Sequence, residues 1–144
     1  MTANQNPIYV ITPNCTFSLI TAADTGTSGT GANVANVFTS GANGSFVTKL
    51  IFQPLSTSGS TTTSAAAARI YLNNGSTAGT ATNNVLFKEI SLAAIAVNTS
   101  ATAAAFGYEL PLNFQLNSSW TILVGITAFA ANTQWNVLTI GGNY

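Results

Sequence analysis

FGYELPLNFQL, residues 106–116, carries an apolar side chain at every second position. The alternating residues are Phe106, Tyr108, Leu110, Leu112, Phe114 and Leu116. Because successive side chains of a β-strand point to opposite faces, this pattern predicts a strand with one apolar face. The other face is polar and includes Glu109, one of three acidic residues in the chain. Pro111 cannot donate a hydrogen bond to a neighbouring strand, so we expect a bulge there or a place at a sheet edge.

Eight further segments are rich in β-branched and aromatic residues and are separated by clusters of Gly, Asn, Ser and Thr, which is typical of strands joined by turns. They are IYVIT (8–12), CTFSLIT (15–21), NVFTS (36–40), SFVTKLIFQ (45–53), ARIYL (68–72), VLFKEI (85–90), WTILVGITA (120–128) and WNVLTI (135–140). No window shows the 3.6-residue apolar period of a helix. The sequence therefore predicts an all-β protein, an antiparallel β-sandwich that is jelly-roll-like and has about eight or nine strands.

The length of 144 residues fits one domain with a hydrophobic core. We assign residues 1–12 to an N-terminal arm and first strand, and residues 13–144 to a single β-sandwich domain. Two Asn-Gly pairs, at residues 43–44 and 74–75, suit the positive φ of tight hairpin turns. The second pair is expected to open a longer loop.

Charged residues make up only 4% of the chain, and the formal net charge is zero. Since such a surface offers little repulsion between copies, we expect an oligomer. Three cations, Lys49, Arg69 and Lys88, are too few to neutralise a run of phosphates, so nucleic acid is not an expected partner.

The N-terminus lacks the basic and apolar regions of a secretory signal, and we expect the chain to be used without such processing. The most apolar run without charge, residues 120–131, is shorter than the roughly 20 residues of a membrane-spanning helix. We therefore expect no membrane partner.

The chain contains no histidine, so the usual catalytic base and the commonest transition-metal ligand are both missing. Glu89 and Glu109 could act as the paired carboxylates of a glycosidase if they faced one another across strands. Cross-strand pairing of Glu89 with Arg69 would explain that acid without catalysis. Asp24 lies in a Thr- and Gly-rich loop, where it could cap a turn or join carbonyls around Ca²⁺, although calcium ordinarily needs several carboxylates. We predict no catalytic residue, no metal site, no cofactor and no enzymatic activity.

Cys15 is the only cysteine, and its place in the alternating segment CTFSLIT predicts a small buried side chain. Four aromatic residues could stack on sugars if they were exposed. They are Tyr9, Tyr71, Trp120 and Trp135. Because they belong to strands with apolar alternation, we expect them in the core.

Three stretches taken together resemble small virion proteins of tailed bacteriophages. They are VFTSGANGSFVTKLIF (37–52), ARIYLNNGS (68–76) with NVLFKEISL (84–92), and residues 109–144, which begin with ELPLNFQL and end with IGGNY. In that group a GANGS hairpin, an LFKEI strand, an LPL strand and a closing Gly-Gly-Asn/Asp-Tyr segment recur in this order. The resemblance covers about residues 37–144 and implies a virion component.

From this resemblance we expect a capsid decoration, or cement, protein on the outer surface of the mature capsid. Such proteins commonly form trimers that bridge neighbouring major capsid protein subunits. The expected partners are therefore copies of this chain and the major capsid protein. The alternative is a tail-fibre or tail-tip module that binds a host receptor or glycan, and a third reading is an enzyme that acts on cell-wall polysaccharide.

Two sets of contact residues follow from this expectation. The N-terminal segment is polar, contains a proline and lies outside the matched region, so we expect it to contact the capsid. The residues expected there are Asn6, Pro7, Ile8 and Tyr9. The strand 106–116 and the C-terminus carry side chains that a monomer need not use. The expected trimer contacts are Tyr108, Glu109, Asn143 and Tyr144.

Overall fold

The structure, a computed structural model, describes residues 10–100 and 107–144. These residues form ten β-strands and one short 3-10 helix, Ala81–Asn83. The strands are β1 Thr12–Ile20, β2 Ala35–Thr39, β3 Ser45–Ser56, β4 Ser60–Thr62, β5 Ala66–Asn73, β6 Asn84–Leu92, β7 Ala96–Asn98, β8 Tyr108–Leu116, β9 Thr121–Ile126 and β10 Thr133–Asn143.

Eight of the strands form two four-stranded antiparallel sheets. Sheet A has the order β1-β10-β3-β8, and sheet B has the order β2-β9-β5-β6. The short strands β4 and β7 pair with each other as a separate ribbon. Without the ribbon, and with the other eight strands renumbered in chain order, the sheets read 1-8-3-6 and 2-7-4-5. This is the connectivity of a jelly roll, so the predicted sandwich is confirmed.

The core lies between the two sheets and is built from their inward-facing apolar side chains. Its large buried members include Trp135 and Phe52 of sheet A with Phe38, Ile70 and Ile122 of sheet B. Each such side chain contributes about 1.5–3 kcal/mol through removal of its surface from water. In β3, β5, β9 and β10 the alternating apolar residues that predicted these strands are therefore the ones that pack in the core.

Strand β8 lies at an edge of sheet A, as Pro111 predicted. Its register against β3 shifts between Val47 and Lys49, and Asn113 has a positive φ of 51° nearby. The strand is thus both an edge strand and irregular, which is where a proline is tolerated.

The N-terminal strands differ from the prediction. One strand, β1, runs continuously from Thr12 through Pro13 to Ile20, so the expected break between segments 8–12 and 15–21 is wrong; residues 8 and 9 lie outside the described residues. Proline is tolerated at Pro13 since β1 forms the other edge of sheet A. The ribbon strands β4 (Ser-Thr-Thr) and β7 (Ala-Val-Asn) were not predicted, because three residues are too few to show apolar alternation.

The two Asn-Gly pairs adopt turns, but only one of them joins paired strands. Gly44 has a φ of +92°, and its N–H donates to the carbonyl of Gly41. The strands on either side, β2 and β3, belong to different sheets, so the expected hairpin at this pair is wrong. Gly75, with a φ of +85°, lies in the loop 74–83 between the paired strands β5 and β6, as predicted.

Loop 21–34 covers the outer face of sheet B. The hydroxyl of Tyr71 donates to the carbonyl of Gly26 at 3.1 Å, and Arg69 donates to the carbonyls of Thr25 and Gly26 at 3.0 Å. Gly29 lies against the Tyr71 ring, and a Cβ there would come within 2.9 Å of it. Tyr71 is consequently only 1% exposed although it points away from the inter-sheet core.

Candidate protein interface

Strand β1 turns most of its apolar side chains outward. Phe17 is 78% exposed and Leu19 is 49% exposed on the outer face of sheet A. On the opposite face the hydroxyls of Thr16 and Ser18 donate to the carbonyls of Val37 and Asn36 in β2. The hydroxyl residues of β1 therefore connect the two sheets, while Phe17 and Leu19 contact solvent and Ile20, at the end of the strand, lies in the core.

The prediction that Cys15 is buried is wrong, since Cys15 is exposed. Cys15 shares its face with Phe17 and Leu19, so its exposure follows from the orientation of the whole strand. A period of two identifies the two faces of a strand but does not say which of them meets the core. In β1 the usual orientation is reversed, because the hydroxyl side chains face β2 while Phe17 and Leu19 face outward.

A shallow groove lies on the outer face of sheet A. Three apolar side chains lie side by side across neighbouring strands, because Leu138 of β10 is paired with Phe17 of β1 and with Ile51 of β3. With Gln53 and Asn136 they line an open depression of about 350 Å³. We call these five residues the sheet A groove. Contiguous exposed apolar surface of this kind marks protein or ligand contacts.

One ion pair borders the sheet A groove. Glu109 of β8 lies opposite Ile51 of β3, and its Oε2 is 2.9 Å from Lys49 Nζ. The Glu109 side chain is still 57% exposed. An exposed pair of this type contributes no more than about 1 kcal/mol to stability, and it places an accessible carboxylate beside the groove.

A second exposed apolar surface lies on β6, an edge strand of sheet B. Val85, Leu86 and Phe87 are 58%, 44% and 45% exposed. The register against β5 shifts beside Phe87, and its ring centroid lies 5.3 Å from that of Phe114 on β8. We call Val85, Leu86 and Phe87 the β6 edge patch.

The charged residues after the β6 edge patch are arranged as predicted for Glu89. Arg69 lies directly opposite Glu89, and Arg69 Nε donates to Glu89 Oε2 at 2.7 Å. This hydrogen bond raises the pKa of Arg69. Among the described residues, Lys88 has no carboxylate within ion-pair distance.

The expected trimer contacts are placed as follows. Glu109 is exposed beside the sheet A groove. The hydroxyl of Tyr108 accepts from the Ala93 N–H at 2.7 Å, and Asn143 Oδ1 accepts from Ser45 Oγ at 2.6 Å. These two side chains have partners within one chain, so the reason for choosing them does not hold, although the trimer contacts themselves stay a prediction.

Tyr144, the fourth expected trimer residue, is half-buried beside the turn at Gly44. Its N–H donates to the carbonyl of Gly44 at 3.2 Å, so the C-terminus is held against the turn. The expected capsid contacts Asn6, Pro7, Ile8 and Tyr9 lie outside the described residues.

The structure does not bring Glu89 and Glu109 together. Glu89 is held by Arg69 on the outer face of sheet B, and Glu109 is held by Lys49 on the outer face of sheet A. Asp24 Oδ1 accepts the N–H of Gly26 at 2.9 Å, which is the turn cap predicted for it. In residues 10–100 and 107–144 there is no group of three or more Cys, Asp or Glu side chains arranged to hold a metal ion.

The described aromatic residues are shielded from solvent as predicted, but Tyr71 is buried beneath loop 21–34 and not in the core between the sheets. Tyr71 and Trp135 are each 1% exposed, and Trp120 is half-buried against the core. Tyr9 lies outside the described residues. The β6 edge patch was missed, although three successive apolar residues in VLFKEI break the alternation and signal a strand that is apolar on both faces.

No helix in the part of the chain that the structure describes is long and apolar enough to cross a membrane. Neither a protein-family model nor a curated protein matches the sequence. A solved structure of infectious bursal disease virus, Gt strain, is similar over 92% of this chain, with 19% sequence identity and a TM-score of 0.33. The chain spans 31% of that viral chain.

Proposed function

We propose that this protein is a capsid decoration protein of a tailed bacteriophage. It binds the outer surface of the mature capsid as a trimer and stabilises the shell by bridging major capsid protein subunits. The phage assignment comes from the order of the sequence motifs in residues 37–144. The mode of action comes from the surface of the folded chain.

The outward-facing apolar row of β1 is the observation that carries the proposal. Phe17 is 78% exposed in the isolated chain, and it borders a groove lined by Ile51 and Leu138. Solvent exposure of contiguous apolar surface is unfavourable, and binding to another protein removes it. Jelly rolls also serve as building blocks of viral shells, which agrees with the proposal by analogy of fold.

The rigid sandwich explains how weak contacts would suffice. Two packed sheets hold the surface residues at fixed spacings, so a trimer that touches three capsid subunits would bind through high effective concentration. Because only the mature lattice presents its subunits at the matching spacing, binding would stabilise that lattice by mass action.

The small charge content supports contacts of apolar character. Two ion pairs and one further lysine are the charged groups exposed at the two apolar surfaces. Attachment to the capsid should accordingly change little between low and moderate salt, unlike binding to nucleic acid.

One observation favours the tail-fibre or tail-tip alternative. The exposed ring of Phe17 lies beside the amides of Gln53 and Asn136, and aromatic rings bordered by amides can bind sugar rings. A glycan-binding module of the tail would present such a site and would occur in a few copies per particle.

Copy number separates these functions. The purified chain is added to capsids that lack it, and bound copies per particle are counted by quantitative mass spectrometry while capsid disruption is followed on heating. A decoration protein should saturate at hundreds of copies and raise the disruption temperature. A handful of copies at the tail, or no binding to capsids, would contradict the proposal.

The N-terminal arm is tested in the same assay. Deletion of residues 2–7 should lower capsid occupancy, because Asn6 and Pro7 belong to the expected contact segment. Undiminished occupancy would remove the arm from the capsid interface without affecting the assignment as a decoration protein.

A further inference from the structure

Two of the apolar surfaces exposed by the described residues differ in shape and lie on different sheets. The sheet A groove is a depression in the flat outer face of one sheet. The β6 edge patch lies on an edge strand of the other sheet, where Val85, Leu86 and Phe87 follow one another without a polar residue between them. A single docking surface would account for one of these features but not for both.

We infer that the β6 edge patch of one copy of this chain docks into the sheet A groove of a second copy. The inference rests on the self-association included in the proposed function and names the surfaces that carry it. The contact is heterologous, since the two copies contribute different surfaces, and it closes into a ring when the rotation between copies permits. The expected trimer is such a ring of three.

Shape and chemistry of the two surfaces agree with this pairing. The groove is lined mainly by Phe17, Ile51 and Leu138, and its volume of about 350 Å³ admits an aliphatic or aromatic side chain. The edge patch supplies Val85 and Leu86, which are exposed.

Charge complementarity points in the same direction. Lys88, directly after the edge patch, has no ion-pair partner among the described residues of its own chain. Glu109, directly beside Ile51 of the groove, is 57% exposed and uses one oxygen for Lys49. A carboxylate accepts several hydrogen bonds, so docking would bring an unpaired cation to an acid with spare acceptors.

Symmetric alternatives cover less apolar surface. A face-to-face dimer would bury the groove but leave Val85–Phe87 in water, and an edge-to-edge dimer would leave Phe17 exposed. The outer face of sheet A, with four strands about 4.8 Å apart and about 30 Å long, has a projected area of about 600 Å², and an edge strand covers only part of it. The contact is therefore smaller than the about 800 Å² that each partner buries in a standard interface, so one junction is modest and a closed ring strengthens it.

A mixing experiment tests the inference. Phe17→Glu blocks the groove and Val85→Glu blocks the edge patch, and both positions are exposed, so neither change disturbs the core. In sedimentation of the purified chain without capsids, wild type should form oligomers. Each variant alone should associate at least about tenfold more weakly, because a charge would be buried in an apolar contact. An equimolar mixture of the two variants should form heterodimers through the one intact junction that remains.

Each other outcome overturns the inference. Unchanged association of Val85→Glu alone means face-to-face packing, and unchanged association of Phe17→Glu alone means edge-to-edge packing. A monomeric wild type at about 100 μM, well above the micromolar range of specific contacts, excludes this self-contact. Capsid occupancy, counted separately, then shows whether the proposed function survives its loss.

A charge exchange supplies an independent readout. Lys88→Glu and Glu109→Lys should each weaken association, because each places like charges together across the junction. The double variant should restore it. Thr62→Glu, on the ribbon outside both surfaces, is the matched control and should associate like wild type. Failure of the double variant to recover would contradict the pairing of Lys88 with Glu109.

Discussion

Phe17 and Phe52 show that residue type does not decide burial in this protein. Both phenylalanines lie in strands of sheet A whose apolar and polar residues alternate, yet Phe17 is 78% exposed and Phe52 is fully buried. Phe52 points toward sheet B and packs in the core, whereas Phe17 points away from it. The same side chain should therefore contribute to folding at one position and to binding at the other.

Alanine at these two positions separates the contributions. Phe52→Ala should lower the free energy of unfolding by about 3–5 kcal/mol, because it leaves a cavity in the core. Phe17→Ala, the matched control, should change it by no more than about 0.5 kcal/mol. Urea denaturation followed by tryptophan fluorescence measures both values. A large loss for Phe17→Ala would mean that its ring supports the isolated fold.

At the scale of the elements, side-chain hydroxyls connect the two sheets where β1 and β10 approach β2. The register between β2 and β9 skips Val37, which leaves its carbonyl outside the ladder. This carbonyl accepts the hydroxyl of Thr16 from β1 and that of Thr139 from β10, the latter at 2.9 Å. A bulge in sheet B thus supplies an acceptor that connects it to sheet A.

Removal of both hydroxyls should cost more than the sum of the single changes. Thr16→Val and Thr139→Val should each lower the free energy of unfolding by about 0.5–1.5 kcal/mol. The double variant should lose about 1 kcal/mol beyond that sum, since the Val37 carbonyl then has neither donor. Thr48→Val, at an exposed position of β3, is the control and should change little. Strict additivity in denaturant titrations would show that water replaces the hydroxyls.

The whole molecule is unusual in its small number of titratable groups. The chain has no histidine, and its stability should stay within about 0.5 kcal/mol between pH 6 and pH 8 for that reason. The buried phenol of Tyr71 changes this at high pH. Burial beneath loop 21–34 raises the pKa of Tyr71, because the ionised phenol would lose its hydration.

The sign of the alkaline effect follows from proton binding. The folded chain holds the Tyr71 proton more tightly than the unfolded chain does, so this contribution is complete below about pH 10, the ordinary pKa of tyrosine. It is lost as the pH rises through the folded-state pKa. Between pH 8 and pH 11 the free energy of unfolding should therefore fall less for Tyr71→Phe than for wild type. Tyr144→Phe, outside loop 21–34, is the matched control and should behave like wild type.

The local pattern of the sequence determined the class of the protein and several of its details. Alternation located most of the strands, Pro111 marked β8 as an irregular edge, and the opposed charges of Arg69 and Glu89 predicted their ion pair. These features are local or involve adjacent strands, so neighbouring residues contain the required information. The positive φ at Gly44 belongs to the same group.

Only the tertiary structure decided which surfaces remain exposed. The outward orientation of Phe17, the assignment of β2 and β3 to different sheets, and the cover that loop 21–34 forms over Tyr71 all depend on packing between distant segments. A strand's period defines two faces without ranking them, and the ranking depends on what packs against each face. The candidate interface therefore became visible only when the two sheets were placed together.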